Sequence, residues 1–270
     1  MDAKKKYEHL LELLRKHQRL AVAFSSGVDS TFLLYAAREA LGDQVLALTA
    51  RSAFFPDREG REASAFCREY GIRHLVVQYD VLKIAGIADN PPDRCYLCKR
   101  ALFERFLTVA RQEGIECVAE GSNLDDLGDY RPGLRAISEL GILSPLREAE
   151  LTKAQIRRLS REFGLATWEK PSFACLASRF VHGEPLTGER LRMVAEAEEM
   201  LRSLGFVQFR VRIHADMARI EVLPEQFERM LDPKIRMNVT ERMHSLGFSY
   251  VSMDLDGYRT GSMNPRPAEG

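Results

Sequence analysis

Ser25-Ser26-Gly27-Val28-Asp29-Ser30 joins an apolar run, residues 20–24, to an apolar helical segment, residues 31–37. A strand that ends in small hydroxyl and glycine residues and then opens a helix turns backbone N–H groups and the positive end of the helix dipole toward one space. Such a space binds phosphate groups. The stretch has neither the Gly-x-x-x-x-Gly-Lys-Ser/Thr pattern of the common nucleotide loop nor the three spaced glycines of a dinucleotide site. An ordinary strand-to-helix turn, capped by a Ser or Asp side chain, is the simpler alternative.

The composition is typical of an ordinary globular protein. The chain has 270 residues, enough for one large domain or two modest ones, and 45% of them are hydrophobic. We expect a cytoplasmic protein without a membrane span, because the sequence has no long apolar run and no apolar segment behind its basic N-terminus. Lys+Arg and Asp+Glu number 39 each. A protein that binds a polyanion usually has more basic than acidic residues, so the equal numbers here favour a small substrate over nucleic acid.

Apolar strands alternate with amphipathic helices along the first half of the chain, which predicts an α/β fold with a doubly wound parallel sheet. The predicted strands there cover residues 20–24, 45–50, 72–78 and 115–120, and the predicted helices cover residues 29–41, 58–70, 99–113 and 152–163. Ligands of such sheets bind beyond the carboxyl ends of the strands. We therefore expect the loops at residues 25–30 and 121–126 to face one ligand.

The pattern changes after residue 182. Predicted helices at 189–204, 224–231 and 234–246 and predicted strands at 206–213, 219–222 and 249–254 indicate a small α+β domain. We predict a nucleotide-binding domain over residues 1–182, a small domain for substrate binding or oligomerisation over residues 183–264, and a disordered tail over residues 265–270.

The cysteines suit metal binding, catalysis or packing better than disulfides in a reducing compartment. They are Cys67, Cys95, Cys98, Cys117 and Cys175. Cys67 and Cys117 fall in a predicted helix and strand, and we interpret both as packing residues. Cys95 and Cys98 form a C-x-x-C pair, which suits a metal, a cluster or a redox disulfide. Neither a second such pair nor a His pair completes a zinc site, and Cys175, in a later loop, is the natural third ligand of a 4Fe-4S cluster with one open iron.

Ser178-Arg179 and Arg210-Val211-Arg212 indicate an anion site. In a strand, Arg210 and Arg212 project on the same face, where their guanidinium groups repel each other unless an anion or carboxylates lie between them. Arginine binds phosphate bidentately. The alternative is a solvated strand face on which the arginines pair with Glu221.

Together these elements resemble the LarE-type sulfurtransferases of nickel-pincer nucleotide biosynthesis, which belong to the PP-loop ATP pyrophosphatases. The resemblance covers nearly the whole chain and is carried by residues 24–30, 121–126, 129–134, 175, 178–180, 209–214, 218–221 and 257–264. One departure concerns the phosphate loop, which reads Ser-Gly-Gly-x-Asp-Ser in the superfamily. Ser26 stands where the first glycine is usual, so its backbone dihedrals must be ones that a residue with a Cβ can adopt.

The resemblance implies that ATP activates a carboxylate of a pyridinium mononucleotide, which is then converted to a thiocarboxylate. It assigns the ATP phosphates, with Mg²⁺, to Ser25, Gly27, Asp29 and Ser30, and the charge of the leaving group to Lys99 and Arg131. It assigns the substrate phosphate to Ser178, Arg179, Arg210 and Arg212. Glu198, Glu221 and Arg259 are weaker candidates for the site.

Two sulfur-transfer mechanisms occur in the family that the chain resembles. In one, a cysteine at the position of Cys175 gives up its own sulfur and becomes dehydroalanine. In the other, three cysteines hold a 4Fe-4S cluster whose open iron carries the transferred sulfide. The presence of Cys95 and Cys98 beside Cys175 predicts the cluster mechanism. The sulfur donor that reloads the site is not indicated by the sequence.

The resemblance also implies a homo-oligomer, a trimer or a hexamer. The nearest alternative function is that of a PP-loop tRNA thiolase, which predicts a basic surface that the balanced charge does not favour. An amidotransferase-like ligase would use the same adenylation, but it leaves the three cysteines without a role.

Overall fold

The computed structural model describes residues 2–128, 132–171 and 174–259. They form two compact units. The first contains the described residues up to 84 and those from 93 to 171, and the second contains residues 85–92 and 174–259. The domain bounds predicted from the sequence stay a prediction, and the predicted tail at residues 265–270 lies outside the described part. Within that part, no helix is long and apolar enough to cross a membrane.

A parallel sheet forms the centre of the first unit. Its strands are β1 (Leu20–Ala23), β2 (Val45–Arg51), β3 (Arg73–Gln78) and β4 (Val118–Ala119). They are ordered β3-β2-β1-β4, and each neighbouring pair is parallel. After β3 the chain returns to the other side of β1, so the topological switch point lies between β1 and β4. The α/β fold with a doubly wound parallel sheet is therefore confirmed.

Helices flank this sheet. They are α1 (Ala3–Arg15), α2 (Val28–Leu41), α3 (Asp57–Glu69), α4 (Arg94–Gln112), α5 (Pro132–Glu139), α6 (Pro145–Glu148) and α7 (Lys153–Glu162). Local sequence explains two of the boundaries. Gly42 ends α2 with a positive φ of 59°, and Thr152 begins α7 through a capping box with Gln155.

The structure corrects the start of α4. The sequence predicted a helix from residue 99, but α4 begins at Arg94, directly after the Pro91-Pro92 turn. No residue between Arg94 and Lys99 breaks a helix, and Tyr96 packs inward, since its side chain is buried. The C-x-x-C pair therefore lies inside the first turns of the helix rather than before it.

The second unit has an α+β arrangement, which confirms the prediction of a small second sheet with helices. Its elements are α8 (Gly188–Ser203), β5 (Phe209–His214), β6 (Met217–Val222), α9 (Phe227–Leu231), α10 (Pro233–Ser245) and β7 (Tyr250–Met253). The sheet order is β5-β6-β7, with an antiparallel β5/β6 pair and a parallel β6/β7 pair.

Candidate functional site

The phosphate loop leaves the carboxyl end of β1 and enters α2, whose N-cap residue is Gly27. Ser30 closes the loop: its Oγ accepts a hydrogen bond from Ser25 N at 3.3 Å and donates one to Gly27 O at 3.2 Å. The hydroxyl oxygens of Ser25 and Ser30 are 3.1 Å apart. The residues assigned to the ATP phosphates thus form one closed turn at the positive end of a helix, where an anion is stabilised.

Ser26 adopts a glycine-like backbone conformation, with φ at 54°. This left-handed region is disfavoured for a residue with a Cβ. Long-range contacts hold it there. Lys170 Nζ donates to Ser26 O at 2.8 Å and lies 3.2 Å from Ser26 Oγ, and Ser26 Oγ donates to Glu59 O at 3.3 Å. At this position of the loop, Ser26 therefore holds a backbone conformation that glycine adopts readily.

The loop after β4 packs directly on the phosphate loop. A Cβ atom on Gly121 would lie 3.0 Å from Ser30 N and 3.2 Å from the carbonyl carbon of Asp29. Only glycine permits this approach without a backbone shift. Asn123 Nδ2 donates to Asp29 Oδ1 at 3.4 Å. The two loops are therefore in direct contact, and the expectation that they face one ligand stays a prediction.

Buried polar contacts fix the loop after β4. The carboxylate of Glu120 accepts hydrogen bonds from Ser122 Oγ at 2.8 Å and from Ser144 Oγ at 2.7 Å. Asp126 Oδ2 accepts from Asn123 N at 2.9 Å. Because each of these buried groups has a partner, the loop is held rigidly beside Asp29.

Lys153 is a residue that the sequence analysis missed. Its ammonium group forms an ion pair with Asp29, and its backbone N–H donates to Asp125 Oδ2 at 2.8 Å. Lys153 is the first residue of α7, where a cation opposes the helix dipole. That unfavourable position was the signal available in the sequence. A carboxylate beside a phosphate loop also fits Mg²⁺, which usually takes one or two carboxylates and completes its shell with phosphate oxygens and water.

The cysteine pair lies at the N-terminal end of α4, three residues apart and on one helix face. Arg94 Nη2 lies 3.9 Å from Cys95 Sγ. The Tyr79 hydroxyl donates to Cys98 O at 2.7 Å and lies 3.9 Å from Cys98 Sγ. Burial, with the neighbouring Cys98, raises the pKa of Tyr79, so the phenol remains a proton donor. Donors beside both sulfurs fit thiolate or metal-bound cysteine.

The third predicted ligand, Cys175, belongs to the second unit, where it precedes the short 3₁₀ turn Leu176–Arg179. Among the residues that the structure describes, no group of three or more His, Cys, Asp or Glu side chains could hold a metal. The three-cysteine site stays a prediction. Cys67 is buried, and burial raises its pKa to about 12, as expected for the predicted packing role; Cys117 is half-buried.

Of the two residues assigned to the leaving group, the structure describes only Lys99. Lys99 lies along the start of α5, because a Cβ on Gly133 would come within 2.6 Å of Lys99 Cδ. Arg131 lies outside the described residues.

Arg179 organises the loop that carries Cys175. Its Nε and Nη2 each donate to the carboxylate of Glu198 at 2.8 Å. Its Nη1 donates to Ala174 O at 2.7 Å, and it lies 3.1 Å from Cys175 O and 2.9 Å from Ser178 Oγ. One buried guanidinium thus binds the backbone on both sides of the cysteine and fixes it against α8.

The arginines of β5 lie in a buried charge cluster. Arg212 Nη1 donates to Ser178 O at 3.0 Å, and its Nη2 donates to Glu221 at 2.9 Å. Arg219 contacts the other oxygen of Glu221 at 3.1 Å. Arg210 lies over the Tyr258 ring, 5.0 Å from its centroid. The alternative of a solvated strand face is wrong, because Arg210, Arg212 and Glu221 are all buried; the predicted pairing of arginines with Glu221 is present.

The electrostatics of this cluster favour an anion. Burial lowers the pKa of Arg210, and the positive charge of Arg179 lowers it further. Burial works to raise the pKa of Glu198, but Arg179 and Arg210 together hold it below its ordinary value. Glu198 is therefore ionised, and a bound phosphate would relieve the repulsion among the arginines. Arg259 lies at the edge of the cluster, with Nη1 2.7 Å from Asp256 and Nη2 3.8 Å from Asp254.

Comparison with known proteins shows similarity along nearly the whole chain. The pyridinium-3,5-bisthiocarboxylic acid mononucleotide synthase of Lactiplantibacillus plantarum is 40% identical over 256 residues, which are 94% of this chain and 92% of that protein. An uncharacterised protein of Synechocystis is 39% identical over 96% of this chain and 97% of its own length. A subunit of the glutamine-hydrolysing GMP synthase of Methanococcus vannielii is 26% identical over 86% of this chain and 77% of that protein. No protein-family model matches the chain.

Proposed function

The chain belongs to the LarE-type family of ATP-dependent sulfurtransferases, within the PP-loop ATP pyrophosphatases, and we propose that it makes a pyridinium thiocarboxylate mononucleotide for nickel-pincer nucleotide biosynthesis. The observation that carries this proposal is the similarity to the synthase named above, which extends over both units. The reaction has two parts. A substrate carboxylate is adenylated by ATP, and sulfur then displaces AMP from the activated carbonyl.

The phosphate loop would carry out the first part. Ser25, Gly27 and Ser30 bind the triphosphate through hydroxyl and backbone N–H groups, and Asp29 binds Mg²⁺, which neutralises charge on the phosphates when it is present. One oxygen of the substrate carboxylate attacks the α-phosphorus, and the bond to the β-phosphate oxygen breaks. Negative charge develops on the pyrophosphate as it leaves, and Lys153 would stabilise this charge. Lys99 and Arg131 are the further candidates that the sequence indicates for this role.

The buried arginine cluster would hold the nucleotide substrate by its phosphate. Arg210 and Arg212 supply guanidinium donors, Ser178 and Arg179 complete the set, and Glu198 with Glu221 keeps the arginines in place. Arg259 is a candidate at the edge of the same cluster. Binding of the mononucleotide by its phosphate would fix its orientation and lower the entropic cost of the reaction.

Sulfur delivery would depend on Cys175, Cys95 and Cys98 as ligands of a 4Fe-4S cluster. When bound, such a cluster supplies a deprotonated sulfur at an iron that no cysteine occupies. The donors beside Cys95 and Cys98 support this assignment, because hydrogen bonds to cysteine sulfur stabilise its thiolate form. Cys175 as a sacrificial sulfur donor is the alternative within the family.

Purified anaerobic protein tests both parts. With ATP, Mg²⁺ and a pyridinium carboxylate mononucleotide, we expect pyrophosphate release and a thiocarboxylate product. Iron and sulfide analysis should give about four irons per chain if the cluster is present. Cys95→Ala should lose iron, whereas Cys67→Ala, a cysteine buried elsewhere, should keep it.

Three outcomes would count against the proposal. Colourless, fully active protein with zinc in place of iron would reject the cluster, and no more than one sulfur transferred per chain would support the sacrificial mechanism. Pyrophosphate release that depends on tRNA, rather than on the mononucleotide, would reject the function. Measurement of the molecular mass in solution tests the trimer or hexamer that the family resemblance implies.

A further inference from the structure

We propose that Lys170 is a positioning residue for the phosphate loop: it holds the Ser26 carbonyl so that the Gly27 N–H group faces the bound triphosphate. The proposal rests on the ATP-binding step of the proposed function. It does not depend on the identity of the carboxylate substrate or on the source of sulfur.

The Lys170 ammonium group is fully engaged within the first unit. It contacts Ser26 O at 2.8 Å, Ser26 Oγ at 3.2 Å and the carboxylate of Glu62. An ammonium group has three protons, and these three acceptors use all of them. Its side chain is 13% exposed, and Glu62 balances its charge. Lys170 therefore acts on the loop by geometry rather than as a direct ligand of phosphate.

Because the peptide group is planar, the contact between Lys170 and Ser26 O also orients the N–H group of Gly27. The peptide bond between Ser26 and Gly27 is planar and trans, so its C=O and N–H groups point in opposite directions. A lysine that holds the carbonyl on one side fixes the Gly27 N–H on the other. Gly27 is the N-cap residue of α2, so its N–H group directly precedes the free N–H groups at the start of the helix, where anions bind.

The segment that carries Lys170 is itself anchored. Arg157 of α7 donates to Trp168 O and, at 2.9 Å, to Lys170 O. Arg157 is four residues from Lys153, so both side chains leave the same face of α7. Lys153 pairs with Asp29, and Arg157 supports Lys170. One helix thus fixes the phosphate loop at two points, the Asp29 side chain and the Ser26 backbone.

The test is a double-mutant cycle between Lys170→Met and Ser26→Gly, measured by Mg·ATP affinity and by the kcat and KM for pyrophosphate release. Lys170→Met should weaken Mg·ATP binding and lower kcat/KM about tenfold, the loss expected for one charge-assisted hydrogen bond. Lys83→Met is the control, since Lys83 is fully exposed and its only described salt bridge is with neighbouring Asp80; it should change neither quantity.

Coupling between the two sites separates positioning from other roles. In the Ser26→Gly background, Lys170→Met should reduce the free energy of Mg·ATP binding by less than half as much as in the wild-type background, because glycine adopts the required φ without support. An equal cost in both backgrounds would overturn the proposal, as would wild-type ATP affinity in Lys170→Met. If Lys170→Met does not fold, Lys170→Gln replaces it in the same cycle, with the same outcomes.

Failure of this proposal is distinguishable from failure of the proposed function. The ATP-affinity measurements need no pyridinium substrate, so they report on Lys170 even if that substrate gives no pyrophosphate. Lys170→Arg should retain part of the affinity, because its guanidinium can still donate to Ser26 O; affinity equal to that of Lys170→Met would contradict a role through that carbonyl.

Discussion

Glu198→Gln should strongly destabilise the second unit, because it breaks a buried ion pair while it keeps the side-chain shape. The side chains of Arg179 and Glu198 are 1% and 10% exposed. Glu198 accepts two bonds from Arg179 at 2.8 Å and one from Val211 N at 3.1 Å. A glutamine amide carries one oxygen, so one guanidinium N–H would face an NH₂ group. Removal of one partner from a buried pair costs about 3–5 kcal/mol.

The same helix offers a matched control. Glu196 pairs with Arg242 at 3.2 Å, but the two side chains are 45% and 49% exposed. Surface pairs of this kind contribute about 0–1 kcal/mol. Glu196→Gln makes the same chemical change two residues away, so the difference between the variants isolates the effect of burial. Urea unfolding, monitored by circular dichroism and by the fluorescence of a dye that binds exposed apolar surface, would give the free energy of unfolding of each variant.

The pH dependence has a definite sign. Arg179 and Arg210 hold the pKa of Glu198 below its ordinary value in the folded protein, against the opposing effect of burial. A carboxylate with a lowered folded pKa stabilises the protein above its unfolded pKa, and this contribution is lost as the pH falls through the folded pKa. The difference in the free energy of unfolding between wild type and Glu198→Gln should therefore be largest at neutral pH and decrease in acid. Equal stability of Glu198→Gln and Glu196→Gln at neutral pH would refute the reasoning.

Three further predictions concern the first unit. Gly121→Ala should lower ATP affinity at least tenfold and destabilise the fold by about 1–3 kcal/mol, since its Cβ would meet phosphate-loop backbone at 3.0 Å; Gly60→Ala, where nothing lies within 4 Å of the new Cβ, should do neither. Lys153→Met should lower kcat for pyrophosphate release more than it raises the KM for ATP, because its charge matters most as pyrophosphate leaves; unchanged kcat would remove Lys153 from that step. Tyr79→Phe should leave the iron content unchanged but lower the reduction potential of iron-loaded protein, because a donor beside the proposed cluster ligand Cys98 is lost; an unchanged potential would show that the hydroxyl serves only the backbone carbonyl.

Local patterns were enough to predict the architecture. The apolar runs at residues 20–24 and 45–50 correspond to β1 and β2, and the glycine and threonine signals placed the end of α2 and the start of α7. The start of α4 was missed because the Pro-Pro turn and the C-x-x-C pair suggested a loop, although nothing in that stretch opposes a helix. Periodicity is a local property, and it succeeds where local propensity and tertiary packing agree.

The residues that local patterns could not find act across long stretches of sequence. Lys153 reaches Asp29 over 124 positions, and Lys170 reaches Ser26 over 144. No spacing rule connects such pairs; only the fold does. The sequence pattern did not predict the burial of the β5 arginines, because alternation predicts one buried face for a strand. Here the Arg face is buried as well: Glu221 of β6 binds Arg212, and the charge of Glu198 of α8 acts on Arg210.

The serine at position 26 explains why these long-range contacts are needed. A glycine would make the left-handed conformation accessible by its own freedom, but a serine reaches it only if the surrounding structure holds it there. The loop conformation therefore depends on contacts with Lys170 and, through Arg157, with α7, rather than on the freedom of a single residue.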